Sequence, residues 1–438
     1  MRAGDSVVWV ELIERSVFVE IGNIIIAIGT VLLMAHLTGW VFKQIGQPHV
    51  VGEMVAGIAL GPSLFGHFFP VAFAHVFPAS SVAALDTLGQ FGMLLFMFLV
   101  GLEADPRSIL KHKAVVVVTS SFSILLPLVL GIILGNLLYT RFAGEHVPRF
   151  LFALFVGTAM SVTAFPVLAG ILRERGLVST NLGVIAISCA AINDVAAWLL
   201  LAVLSALVHS SNSLSHFTTT LLWLVAFVLF MFLPVRRAVA FVEQRSRENE
   251  TGMGLLFVRL FIMLAASWTT SRMGIHPLFG AFTAGLVMHK DKRVMEETAA
   301  KIEPITVVLL VPVFFALTGL RTHIDLLAGN AAWHYVLPII VVATIGKVAG
   351  TSLASRFMGF PWNHAMTLGV LLNTRGLVEL VILNSGLELG IISSALFSMM
   401  VVMAVVTTFM TTPALRPFEG AAFVDAPECT IAAKIPRA

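Results

Sequence analysis

The chain has 438 residues, 58% of them hydrophobic and only 12% charged, with a net charge of +3 and a mean hydropathy of +0.96. A water-soluble domain carries about a quarter charged residues, so most of this surface does not face water. Two cysteines, Cys189 and Cys429, exclude a disulfide framework and a thiolate metal cluster.

From the N-terminus, residues 1–20 hold Arg2, Asp5, Glu11, Glu14, Arg15 and Glu20, which is not the basic start of a cleaved signal. They read as an extracytoplasmic segment ahead of a retained helix that begins at Ile21. A hydrocarbon core about 30 Å thick takes about 20 apolar residues per helical crossing. Apolar windows bounded by charges or Pro/Gly turns fall at 21–42, 49–66, 86–102, 112–138, 149–172, 181–208, 218–235, 254–271, 276–289, 305–320, 333–355, 363–386 and 392–413. The sequence therefore predicts an all-α polytopic membrane protein with thirteen transmembrane helices, the ninth of them short. With the N-terminus outside, eighteen Lys and Arg fall on inside segments and six on outside segments, while Arg259, Lys347 and Arg375 lie within spans. By the positive-inside rule this puts the short tail, 414–438, in the cytoplasm of a bacterial inner (plasma) membrane protein. The cluster from Arg236 to Arg247 reads as part of that topology signal, and there is no basic patch for nucleic acid.

An internal repeat is visible. Gly52-Glu53-Met54-Val55-Ala56-Gly57-Ile58 lines up with Gly280-Ala281-Phe282-Thr283-Ala284-Gly285-Leu286, and Gly101-Leu102-Glu103 with Gly319-Leu320-Arg321. Thr163-Ala164-Phe165-Pro166-Val167 falls near Thr374-Arg375-Gly376-Leu377-Val378. The domain 21–413 thus divides into repeat one, 21–208, a linker helix, 218–235, and repeat two, 254–413. An odd linker gives the copies opposite orientations, the inverted-repeat plan of secondary transporters.

Ionisable groups inside spans are costly in hydrocarbon and usually face a bundle interior or a water-filled path. Asp194 lies in the middle of its span in Asn193-Asp194-Val195-Ala196-Ala197-Trp198. A carboxylate there can hold a proton or a desolvated cation, but not both. Lys347, flanked by Gly346 and Gly350, needs a carboxylate, and Asp194 is preferred over Glu53 or Glu379 as its partner. Ser161, Thr163 and Pro166 interrupt the fifth span, and Asn373, Thr374, Arg375 and Gly376 interrupt the twelfth. Unwound backbone at membrane depth is tolerated beside a cavity, where its carbonyls can coordinate a cation. Half-helix ends there leave dipoles that call for charges such as Arg375 and Glu379. Glu53, Glu103, Arg259 and His36 read as structural.

These residues resemble the second cation:proton antiporter family, and most closely the membrane domain of plant cation/H⁺ exchangers. The resemblance rests on Val51-Gly52-Glu53-Met54-Val55-Ala56-Gly57-Ile58-Ala59-Leu60-Gly61-Pro62 and on Leu94-Leu95-Phe96-Met97-Phe98-Leu99-Val100-Gly101-Leu102-Glu103. It also rests on Asn193-Asp194-Val195-Ala196-Ala197-Trp198 and Asn373-Thr374-Arg375-Gly376-Leu377-Val378-Glu379-Leu380. It implies an exchanger of Na⁺ or K⁺ for H⁺ that needs no cofactor, built as a homodimer from a dimerisation half and a core half with crossed, broken helices. By the same resemblance Asp194 carries cation and proton, Asn193 is its neighbour, Thr163 a backbone or hydroxyl ligand and Lys347 the basic partner; Ser161, at the break, is counted with the cation- and proton-binding residues. Electrogenic relatives carry two adjacent aspartates where this chain has Asn193-Asp194. Two other classes are weighed against this. An intramembrane enzyme would need a His/Glu metal pair or a Ser-His or Asp-Asp dyad, and no such spacing occurs. A channel or a sodium-coupled organic-solute carrier can share broken helices, but a solute carrier needs a roomier polar pocket.

Overall fold

The structure, a computed structural model, describes residues 3–103, 113–177, 180–209, 214–246, 252–288, 292–324, 327 and 333–418. It is nearly all helical, as the hydrocarbon core demands of a chain whose backbone groups have no water to bond. The first copy runs through α1 (Ala3–Gln44), α2 (His49–Leu60), the short α3 (Phe65–Phe68) and α4 (Pro70–Val76), and α5 (Ala79–Glu103). It continues with α6 (Lys113–Phe142), α7 (Arg149–Ser161), α8 (Phe165–Glu174) and α9 (Asn181–His209). The connecting helix α10 (Leu214–Phe230) passes through a π turn at Met231–Val235, centred near Pro234, into α11 (Arg236–Ser246). The second copy comprises α12 (Gly252–Arg272), α13 (Pro277–Val287), α14 (Lys292–Ile305) and α15 (Val311–Leu320). It closes with α16 (Trp333–Phe357), α17 (Trp362–Leu372), α18 (Leu377–Glu388) and α19 (Ser394–Leu415).

Helix α1 starts already at Ala3, and its apolar, membrane-length part runs from Glu20 to Gln44. One sequence expectation changes: the count of thirteen spans is too high. Among the described residues ten helices are long and apolar enough to cross, and the pair α17–α18, bent by 44°, makes eleven. The fifth expected span falls on α7, which stops after 13 residues, and the ninth on α13, which has 11. An 11-residue helix is about 17 Å long, little more than half of a hydrocarbon core. The window at 276–289 already has about the length of α13, but hydropathy does not register the break that ends α7 at Ser161.

The helices pack in two groups. In one, α1, α2, α5, α12, α13 and α15 lie against each other; in the other, α6, α7, α8, α9, α16, α17, α18 and α19 do. The repeat found in the sequence recurs in the first group. A Cβ added at Gly57 of α2 would overlap the Phe315 carbonyl of α15, and one at Gly319 would overlap the Gly57 backbone. In the same way a Cβ at Gly101 of α5 would overlap the Phe282 carbonyl of α13, and one at Gly285 the Phe98 carbonyl. Gly57 corresponds to Gly285 and Gly101 to Gly319, so the second helix of each copy packs on the third helix of the other. A two-fold relation between the copies requires that exchange. On one face Arg321 ties the groups together through Asp86 of α5 at 2.9 Å and Glu388 of α18 at 2.7 Å. Arg259 of α12 is buried and hydrogen bonded to Thr298 of α14, and Glu53 accepts from His49 at 3.0 Å, so both have structural partners.

Candidate functional site

The second group contains two helix breaks that meet. The backbone of α7 ends at Ser161, runs extended through residues 162–164 and restarts at Phe165 as α8. Pro166 stands in the first turn of α8, where its missing N–H has no helical partner to lose. Likewise α17 ends at Leu372, and α18 starts after Gly376. The two non-helical segments touch: the Ala164 N–H donates to the Thr374 carbonyl at 3.0 Å, and the Thr163 hydroxyl donates to the Leu372 carbonyl at 2.9 Å. A Cβ at Gly376 would stand 2.8 Å from Val167 Cγ2, so the second break lies directly against α8.

A broken helix leaves carbonyl oxygens without intrahelical donors, with the negative end of the helix dipole at the same place. Here the end of α7 is capped by two cations. Arg375 donates to the carbonyls of Ala159 at 3.1 Å and Met160 at 2.7 Å, and Lys347 donates to that of Ser161. Lys347 also donates to the Ser123 carbonyl of α6 at 2.9 Å. It reaches both because α16 lies close on α6. A Cβ at Gly346 would stand 2.9 Å from Pro127 Cα, and one at Gly350 2.6 Å from the Phe122 carbonyl oxygen. Glu379, in the first turn of α18, sits at the positive end of that half-helix and binds Arg375 at 3.0 Å with both side chains fully buried. The Thr408 hydroxyl of α19 holds the break from behind, accepting from the Arg375 N–H at 2.9 Å and donating to its carbonyl at 2.8 Å.

Asn193 and Asp194 are carried to this crossing by α9, which packs on α6, α7, α8 and α17. Both are 1% exposed. Asn193 Nδ2 donates to Thr163 Oγ1 at 3.0 Å and to Ser123 Oγ at 3.2 Å. Neither carboxylate oxygen of Asp194 has a hydrogen-bond partner among the described residues, nor does Asn193 Oδ1. The Phe165 backbone amide, at the positive end of α8, faces Asp194 without reaching hydrogen-bond geometry. Lys347 is bonded to the Ser123 and Ser161 carbonyls, and the direct ion pair with Asp194 read from the sequence is not formed in this conformation. Of the other carboxylates weighed as its partner, Glu53 is engaged by His49 and Glu379 by Arg375.

The structure thus brings together Asn193, Asp194, Thr163, Ser161, Lys347, Thr374, Arg375, Gly376 and Glu379. Asn373 is buried beside them at the end of α17, with no partner for its Oδ1 among the described residues. Ser161 enters through its backbone carbonyl, its hydroxyl donating to Thr158 at 2.8 Å. Sequence reasoning missed Ser123 and Thr408. The hydroxyl run Thr119-Ser120-Ser121-Phe122-Ser123 inside an apolar span was the available signal for the first.

Buried polar groups in proteins are almost always bonded, so the unpartnered oxygens of Asn193 and Asp194, carried on consecutive residues of α9, mark where at this crossing a proton or a cation can be held. Broken helices that cross beside a buried carboxylate are the plan of a secondary membrane transporter. Residues 31–418 match the family model described as sodium/hydrogen exchanger, transmembrane, and the chain belongs to that family. It is 39% identical over 396 residues to the Na⁺/H⁺ antiporter NhaS4 of Synechocystis, covering 90% of this chain and 95% of that one. It is 40% identical to cation/H⁺ antiporter 17 of Arabidopsis thaliana and 34% to K⁺/H⁺ antiporter 1 of Saccharomyces cerevisiae. The matches cover 89% and 87% of this chain but only 47% and 45% of those proteins, so it spans about half their length. The solved structure of the sodium proton antiporter MjNhaP1 from Methanocaldococcus jannaschii superposes with a TM-score of 0.68 over 93% of this chain and all of that one. At 14% identity this likeness shows the fold alone.

Proposed function

We propose that the chain exchanges Na⁺ or K⁺ for H⁺ by alternating access, with Asp194 binding cation and proton in turn. The observation that carries this is the contrast at the crossing. Arg375 and Glu379 neutralise each other and Lys347 is spent on carbonyls, whereas both oxygens of Asp194 are buried with no donor. Asn193 supplies a neutral oxygen beside it, Thr163 and Ser161 build the wall, and Lys347 balances the carboxylate when no cation is bound. The breaks at Pro166 and at Asn373, Thr374, Arg375 and Gly376 keep backbone carbonyls near the midplane. Relatives named as Na⁺/H⁺ and as K⁺/H⁺ antiporters support a monovalent cation without choosing between the two. The charge bias of the loops supports an N-terminus outside and a cytoplasmic C-terminus. The exposed apolar residues along α1, among them Ile25, Leu33, Leu37 and Trp40, suit either lipid or the second copy of a homodimer.

The test is exchange in proteoliposomes carrying a trapped pH dye, scanned over Li⁺, Na⁺, K⁺ and Rb⁺. The wild type should dequench the dye with at least one of them. Asp194→Asn, which keeps the volume but cannot ionise, should fold and show none. Exchange by purified Asp194→Asn protein would overturn the assignment.

A further inference from the structure

Which way the Asn193 amide points is decided by the groups around it. The Thr163 hydroxyl hydrogen is committed to the Leu372 carbonyl, which can only accept. Thr163 Oγ1 can therefore only accept from Asn193, so the NH₂ end of the amide must face it. The second N–H of that amide goes to Ser123 Oγ. With both donors engaged, Asn193 Oδ1 is left pointing away from Thr163 and Ser123, unpartnered and buried, one residue from the two unpartnered oxygens of Asp194. Ser123 is itself held, since its carbonyl accepts from Lys347 Nζ, which is also bonded to the end of α7.

We infer that Ser123 is a positioning residue of the cation site: with Thr163 it locks the Asn193 amide so that its oxygen, not its NH₂, is presented beside Asp194. The inference rests on the reading of Asp194 as the carrier. Thr163 takes one N–H and fixes the sense of the amide; Ser123 takes the other and stops it from turning. Without the Ser123 hydroxyl, one N–H loses its acceptor in a dry site, where that loss is expensive. The freed N–H can then turn, while the other stays on Thr163, and donate to the neighbouring Asp194 carboxylate, whose oxygens have no donor. That hydrogen bond occupies the oxygens a cation would use and removes Oδ1 as a ligand. Protonation of Asp194 needs no second ligand, so the lock acts on the cation and not on the proton.

The experiment measures the cation concentration that gives half-maximal exchange, the saturated rate and the pH profile in proteoliposomes of the full chain. Ser123→Ala should raise the half-saturating cation concentration by about tenfold, the equivalent of one hydrogen bond to a ligand, with the saturated rate within twofold. At fixed, sub-saturating cation the onset of exchange should shift to more alkaline pH, because a weaker cation competes with the same proton. Ser123→Thr, which keeps the acceptor, should restore the wild-type value. Ser123→Cys keeps the volume with a poor acceptor and should shift in the same direction as Ala, which covers the case in which Ala does not fold. In an Asn193→Ala background, Ser123→Ala should shift nothing further. A half-saturating concentration unchanged in Ser123→Ala, or an equal shift in the Asn193→Ala background, would overturn the inference. A loss of thermal stability and maximal rate with the half-saturating concentration unchanged would also overturn it. Failure of the reading beneath it shows separately, as exchange that survives Asp194→Asn.

Discussion

Asn193 and Asp194 are neighbours on one helix, yet their surroundings treat them oppositely, the amide held by two hydroxyls and the carboxylate held by none. Lys347 shows why sequence alone misplaces a partner. A long, flexible ammonium can satisfy a carboxylate or a helix end equally well, and only the coordinates put the carbonyls of Ser161 and Ser123 within its reach. Its first duty in this conformation is to cap α7, and this separates two substitutions. Lys347→Gln keeps N–H donors for both carbonyls, whereas Lys347→Met leaves them unsatisfied at about 1–3 kcal/mol each. Lys347→Met should therefore lower the melting temperature in detergent clearly more than Lys347→Gln does. Equal melting temperatures would show that Lys347 contributes charge to Asp194 and nothing to the end of α7.

The helices themselves were legible from hydropathy, and the two breaks from proline, glycine and polar residues inside otherwise apolar spans. What was not legible was that the breaks touch, because the Ala164–Thr374 hydrogen bond joins segments about two hundred residues apart in sequence. The end of α7 was hidden for a different reason: Val162-Thr163-Ala164, where it stops, lies inside a stretch as apolar as the helix, whereas the charged run after Met288 already marked the ninth span as short. The glycine blocks gave the repeat, and the structure gives their purpose, which is backbone contact between α2 and α15 and between α5 and α13. Gly57→Val and Gly285→Val should thus be equivalent lesions, each destabilising by about 1–3 kcal/mol as overpacked buried sites do. Gly29→Ala, where an added Cβ meets nothing within 4 Å, is the control and should melt no lower than wild type. Thermal unfolding of the purified variants decides it, and a Gly57→Val protein as stable as Gly29→Ala would refute the packing account.

For the transporter as a whole, the proposed pairing of a neutral Asn193 with a single titrating Asp194 would set the charge moved per cycle. A site that crosses once with a proton and once with a monovalent cation has the same charge both ways. Exchange should then run at equal rates at zero and at about 100 mV, a potential that would give any uncompensated charge about 2.3 kcal/mol. Rates measured in proteoliposomes under an imposed diffusion potential check this. A strong voltage dependence would mean that Lys347 gives up a second proton, and Lys347→Gln should then abolish it. The claim beneath all of this is that cation and proton exclude each other at Asp194. It is tested most directly by adding the transported cation to the detergent-purified protein in weakly buffered solution and counting the protons released against the cations bound. The account predicts one proton released per cation bound by the wild type, and neither binding nor release by Asp194→Asn. Cation binding without proton release, or release that persists in Asp194→Asn, would contradict it.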